Sequence, residues 1–134
     1  LDFGYILESY ISPRCTILTN ENVGYNCFIL EENTIQPFVK IGNNVTMWSG
    51  NHIGHDVEIK DHCFVTSHVV ISGFTKVGEY SFLGVNSTLR DSIEIGSKNL
   101  IGAGAVIMQS TKDEAVWLPA KSVELNKRSS ELEI

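Results

Sequence analysis

The sequence lacks any apolar run near the ~20 residues that a membrane-spanning helix needs, and no signal-peptide pattern opens it. It is also short of positive charge, with 10 Lys and Arg against 16 Asp and Glu and a formal charge of −6. The basic residues are scattered, whereas binding nucleic-acid phosphate needs them clustered, so nucleic acid is excluded as the main partner. Cysteine is scarce and odd in number. Cys15, Cys27 and Cys63 stand in no metal-ligand spacing, which suits free thiols in a reducing cytoplasm rather than a disulfide framework.

What is present is a repeat. The 134 residues are 43% apolar and 19% charged, the balance of one soluble globular domain. Every sixth residue from Ile11 is aliphatic: Ile11, Ile17, Val23, Ile29, Ile35, Ile41, Met47, Ile53, Ile59, Val65, Ile71, Val77, Leu83, Leu89, Ile95, Ile101 and Ile107. No insertion breaks the phase. A helical period of 3.6 cannot hold phase with six over this length, and strand alternation alone cannot supply the glycines that follow many of these aliphatics. Those glycines are Gly24, Gly42, Gly54, Gly78, Gly84, Gly96 and Gly102, and their backbone tolerance suggests a repeated corner. Four residues after each aliphatic come mostly small or thin side chains, the three cysteines among them, which read as a second inward row of buried thiols and short side chains. The pattern describes short strands joined by tight corners around one axis.

With these motifs in view, the chain resembles the hexapeptide-repeat family, whose three-sided coils wind left-handed at about eighteen residues per turn. The resemblance implies an all-β fold, a single-stranded left-handed parallel β-helix of five to six coils. The expected divisions are residues 1–10 as an N-terminal cap or the remnant of a preceding domain, 11–112 as the β-helix, and 113–134 as a C-terminal extension. Leu118-Pro119-Ala120-Lys121 looks like the family's Pro-Ala-Lys exit, with Leu118 where glycine is usual. Residues eighteen apart should stack at the strand spacing of roughly 4.8 Å.

All four histidines lie between residues 52 and 68. Acyl transfer from a thioester needs a base near neutral pH and a donor for the developing oxyanion, and Gly50-Asn51-His52-Ile53-Gly54-His55-Asp56 offers a base with an acid beside it. This stretch, with Ser67-His68-Val69-Val70-Ile71-Ser72-Gly73, Leu83-Gly84-Val85-Asn86-Ser87 and Ile101-Gly102-Ala103-Gly104-Ala105, resembles the bacterial sugar acetyltransferases. That group includes sialic-acid O-acetyltransferases and nucleotide-aminosugar N-acetyltransferases. The resemblance implies His55 as catalytic base, Asp56 as its acidic neighbour, and the Gly73 N–H as donor to the acetyl carbonyl. Repeat geometry independently stacks Gly73 on His55. The group often has a second histidine nine residues after the base, and Phe64 stands there instead.

The same resemblance implies acetyl-CoA as co-substrate, with Gly102, Ala103 and Gly104 for close backbone approach and Lys112 or Lys121 for phosphate. Asn51, His52, His68 and Asn86 are candidates for the acceptor, expected to be a nucleotide-linked sugar carrying a hydroxyl or an amine. A homotrimer is expected, and no metal. A γ-class carbonic anhydrase has the same fold with three metal-bound histidines, but its five-residue spacing is absent and no histidine precedes His52. The alternative function is a non-catalytic trimeric scaffold subunit, which has no need for a histidine-acid corner stacked on a glycine.

Overall fold

The computed structural model describes residues 3–18 and 22–131. The chain is a left-handed parallel β-helix of about six coils. Among the described residues its two-residue strands form three parallel sheets. The first holds Tyr10–Ile11, Phe28–Ile29, Thr46–Met47, Phe64–Val65, Phe82–Leu83, Leu100–Ile101 and Val116–Trp117. The second holds Thr16–Ile17, Thr34–Ile35, His52–Ile53, Val70–Ile71, Thr88–Leu89 and Val106–Ile107. The third holds Lys40–Ile41, Glu58–Ile59, Lys76–Val77 and Glu94–Ile95. Each strand pairs with those eighteen residues away, as in Ile53 with Ile35 and Ile71. The ladder runs past Lys112, and its last step is sixteen residues, Leu100 against Val116.

Two residues per strand leave one side chain to point in and one to point out, so the aliphatic at every sixth position becomes the core. Ile29 through Ile107 in that series are buried, with Ile11, Ile17, Val23 and Trp117 partly buried at the two ends. A thin second inward row fills the corners between them, from Cys27, Val39 and Val45 to Ser81, Ser87 and Ala105. Some of its polar members bond to carbonyls of the coil above, as Thr75 Oγ1 does to Arg90 O (2.6 Å) and Ser81 Oγ to Gly96 O (3.0 Å), whereas the Ser87 hydroxyl is buried without a partner among the described residues. A buried hydroxyl without such a partner would cost a few kcal/mol, on the order of 1–3.

The outward rows differ by sheet. The third sheet carries Lys40, Glu58, Lys76 and Glu94 in register, a charged row suited to water, with Lys76 Nζ 3.2 Å from Glu94 Oε1. The first carries Tyr10, Phe28, Thr46, Phe64, Phe82, Leu100 and Val116, a row without charge. Phe64 and Phe82 stack at 5.6 Å, and Trp48 meets Phe64 edge-on at 5.6 Å. Phe64 is thus a member of an aromatic row.

The glycines do not act as the sequence suggests. Gly24, Gly42, Gly54, Gly78, Gly84, Gly96 and Gly102 have no positive φ; left-handed backbone falls two residues later, at Asn26, Asn44, Asp56, Tyr80, Asn86, Lys98 and Gly104. The glycines are there for space. A Cβ at Gly78 would lie 2.5 Å from backbone atoms of Gly96 and Ser97 in the next coil. Coils at strand spacing bring backbone against backbone at that point, and a side chain has no room.

The cysteines are free, Cys27 and Cys63 buried and Cys15 half-buried. Burial first, then the nearby carboxylates of Asp61 and Glu79, push the Cys63 thiol up to about 11 from its ordinary 9.0. The sign follows directly. Below about pH 9 both states keep the proton, and above it the unfolded chain releases the proton while the folded chain holds it. Stability is therefore lost as pH climbs toward the folded value, by roughly 1.4 kcal/mol per unit and about 3 kcal/mol in all. Urea midpoints at pH 8 to 11 should fall faster in the native protein than in Cys63→Ala, and parallel curves would contradict the shift.

Candidate active site

His55 and Asp56 form the corner between the second and third sheets. Ile53 and Val57 point inward on either side and are fully buried, which leaves the two corner side chains outside. Asp56 has φ 56°, a conformation Asp tolerates better than most residues, and its N–H donates to Pro37 O of the previous coil (3.1 Å). His55 Nδ1 and Asp56 Oδ2 lie 2.9 Å apart, with the side chains 51% and 39% exposed. A carboxylate only accepts, so Nδ1 is the donor in this pair, which in the neutral imidazole leaves the lone pair on Nε2.

Gly73 occupies the same corner one coil on. A Cβ there would lie 2.9 Å from both Cε1 and Nε2 of His55, so the imidazole rests against the Gly73 α-carbon. The next amide, Phe74 N–H, donates to His55 O at 3.0 Å, whereas the Gly73 N–H has no protein acceptor among the described residues. Gly54 keeps that amide clear, since a Cβ at 54 would sit 2.6 Å from Gly73 N. One corner therefore holds a basic nitrogen, a carboxylate orienting it, and an open N–H. That set can take a proton from an attacking nucleophile and stabilise an oxyanion.

The Phe74 ring meets the His55 ring edge-to-face at 4.9 Å. Spacing by eighteen misses this contact, because the partners are nineteen apart. The signal available was an aromatic in the corner position otherwise held mostly by polar residues.

The other expected site residues are dispersed. His52 stands exposed on the outer face of the second sheet, between Thr34 and Val70. His68 lies across that sheet, at the corner between the first and second sheets; a Cβ on Gly50 would meet its Nδ1 at 2.6 Å. Asn86 takes the same corner one coil on, with φ 57°. Asn51 is not open to an acceptor. It is 1% exposed, donates to Trp48 O (2.6 Å) and accepts from Val69 N (2.8 Å), because its place in the repeat points inward. His62 packs on Tyr80 at 4.5 Å, and Asn44 Nδ2 is 2.8 Å from its Nδ1 at the third corner.

Ala103 and Gly104 continue the His68 edge, and Gly104 (φ 72°) has open space around it. Gly104 and Val106 share a groove of about 400 Å³ with Trp117, Leu118, Pro119 and Ala120, just before exposed Lys121. Gly102 is covered instead: a Cβ there would meet Leu118 Cδ2 at 2.9 Å, so its smallness accommodates the C-terminal segment rather than a ligand. Lys112 lies on another edge, its backbone packed over Gly96 at the corner between the third and first sheets. Within one chain it does not join Gly104.

Residues 38–73 match the family described as bacterial transferase hexapeptide (six repeats). The resemblance to hexapeptide-repeat acyltransferases thus rests on both the repeat and the fold. Over 140 residues the chain is 26% identical to the bifunctional protein GlmU of Clostridium kluyveri, covering 92% of this chain and 30% of that protein. It is 21% identical over 99 residues to an acyl-(acyl-carrier-protein)–UDP-N-acetylglucosamine O-acyltransferase of Burkholderia lata, covering 72% of this chain and 38% of that one. Among solved structures, a mutant perosamine N-acetyltransferase from Caulobacter crescentus in complex with CoA and GDP-perosamine superposes with a TM-score of 0.83. Its identity is 23%, over 86% of this chain and 55% of that one. The acetyltransferase domain of PglB from Neisseria gonorrhoeae in complex with acetyl coenzyme A gives 0.83 at 24% identity, over 91% and 60%. These structural likenesses establish the shared fold. The chain spans about a third of the length of these curated relatives.

Proposed function

We propose that the chain is the β-helix of an acetyl-CoA-dependent acyltransferase acting on a hydroxyl or amine of a nucleotide-linked sugar. The observation that carries this reading is the His55–Asp56 pair lying against Gly73 with its free N–H. His55 Nε2 takes the proton as the acceptor atom attacks the thioester carbonyl. Asp56 holds the imidazole in the required tautomer and supports its positive charge. The Gly73 N–H donates to the tetrahedral oxyanion, which collapses to the new ester or amide and expels the CoA thiolate. The imidazolium returns its proton to that sulfur, and the base is restored.

The donor fits the edge at Ala103 and Gly104, whose groove with Pro119 and Ala120 has room for close backbone approach; Lys121 and Lys112 supply cations for its phosphates. Because these groups and His55 lie on different edges, a single chain does not complete the site. A homotrimer would bring edges of neighbouring chains together, and the uncharged aromatic row of the first sheet is a surface suited to burial between copies. His52, His68 and Asn86 then border the acceptor side. The unpaired cysteines support a reducing, cytoplasmic setting.

Calorimetric titration of acetyl-CoA into the chain, with the oligomeric state measured by light scattering, tests the reading. Saturable binding near one per chain in a trimer is expected, followed by acetyl transfer to members of a nucleotide-aminosugar panel. An intact trimer that binds nothing at millimolar acetyl-CoA would leave a scaffold subunit as the function.

A further inference from the structure

The corner position that carries Asp56 recurs every six residues with left-handed backbone, and most of its occupants are small or polar. Asn26, Asn44, Asn86, Ser92, Gly50 and Gly104 are examples. Phe38 (φ 65°), Phe74 (φ 60°) and Tyr80 (φ 57°) are aromatic exceptions; Tyr80 stacks on His62 at the third corner, and the two phenylalanines stand in the His55 corner, one coil before and one coil after Asp56. A bulky side chain in this conformation is disfavoured, and an exposed ring recovers little of that cost through burial. Phe74 is 56% exposed and Phe38 70%. The repeat imposes this backbone on many residue types, so the question for each ring is what contact it makes.

Phe74 has a contact that accounts for it. Its ring meets the His55 imidazole edge-to-face at 4.9 Å with an interplanar angle of 88°. The imidazole is then held on three sides, by Asp56 at Nδ1, by the Gly73 α-carbon at Cε1 and Nε2, and by the Phe74 ring. A half-exposed histidine with only a neighbouring carboxylate for company can swing about χ1 and exchange tautomers. An aromatic wall removes the space into which it would swing.

We propose that Phe74 is a positioning residue, holding His55 in the rotamer and tautomer that aim Nε2 at the acceptor. The inference rests on His55 being the base, but its test is independent of substrate. The full chain and its Phe74→Asn, Phe74→Tyr and Phe38→Asn variants are compared by nitrogen-15 NMR of the histidine rings and by thermal unfolding. In the native chain the two His55 nitrogens should give well-separated signals, one protonated and one bare, in slow exchange. Asn suits left-handed backbone, so Phe74→Asn should fold with a melting temperature at or above that of the native chain. Its His55 signals should converge toward an average as the ring samples both tautomers. Phe74→Tyr should restore the native pair, and Phe38→Asn, whose ring meets no other ring among the described residues, should leave it unchanged.

With an acceptor in hand, Phe74→Asn should lower kcat about tenfold with the KM for acetyl-CoA unchanged, as expected when a base is misplaced. Native His55 signals in Phe74→Asn would overturn the proposal, and so would the same collapse in Phe38→Asn, which would make it a general loosening of the corner. Failure of acetyl-CoA to bind would sink the acyltransferase reading while leaving the NMR result to stand by itself.

Discussion

Replacing His55 with alanine is expected to abolish acetyl transfer while acetyl-CoA still binds. The donor edge at Ala103 and Gly104 and the base at His55 lie on opposite sides of the second sheet, so removing the imidazole leaves the groove beside Pro119 and Ala120 intact. A positioned general base is worth about 10²–10⁴-fold, and the loss should fall on kcat with KM for the donor little changed. The fold should tolerate the change, because the side chain is half-exposed and the corner is held by Ile53, Val57 and the Phe74 N–H bond to His55 O. Asp56→Asn should cost less alone and almost nothing on top of His55→Ala, since its role runs through the imidazole. Steady-state kinetics and calorimetry on the two single variants and the double decide it. A His55→Ala enzyme with near-native kcat would remove the histidine from the mechanism altogether.

Much of this site could be read in advance because the fold converts spacing into place. Two-residue strands force one inward aliphatic every six residues, so the phase set by Ile11 carries unbroken to Ile107 and marks every corner. Three strands per coil make eighteen the stacking interval, which puts Gly73 on His55 and Asn86 on the edge of His68 before any coordinate is known. Where the reading failed, the reason lies in the direction of a side chain rather than its position. Asn51 adjoins His52 in sequence, yet it belongs to the inward row, and its amide is committed to Trp48 O and the Val69 N–H. The glycines were read as left-handed corners, but the hydrogen bond from the second corner residue to the coil before, such as Phe74 N–H to His55 O, makes left-handed backbone the rule there for many residue types. Glycine is required two residues earlier, where coil meets coil. The resemblance sets Lys112 beside Gly102, Ala103 and Gly104 as a phosphate candidate, yet within one chain it lies on another edge, over Gly96.

Two glycines of the same corner make the separation of stability from catalysis measurable. Gly73 has no positive φ, so alanine there is free of backbone strain, and what its Cβ meets is the His55 ring at 2.9 Å. That ring is half-exposed, so the new Cβ can push it outward from between Gly73 and Phe74 toward solvent, and Gly73→Ala should cost little stability, within about 1 kcal/mol. The swing breaks the 2.9 Å Nδ1–Asp56 contact and moves Nε2 by an ångström or more, a displacement able to cost about 10²-fold in kcat. Gly54 behaves oppositely. Its added Cβ would meet Gly73 N at 2.6 Å and Ile71 O at 3.0 Å, backbone atoms fixed by the ladder that cannot swing aside. Forcing the coils apart there should cost about 1–3 kcal/mol, as overpacking does elsewhere, and would also cover the Gly73 N–H assigned to the oxyanion. Denaturant unfolding and kinetics on the pair should therefore show Gly73→Ala stable and slow, and Gly54→Ala both unstable and slow. If Gly73→Ala turned over at the native rate, neither the imidazole's place against that α-carbon nor the amide beside it would matter to the reaction, and the corner would be a structural feature of the helix alone.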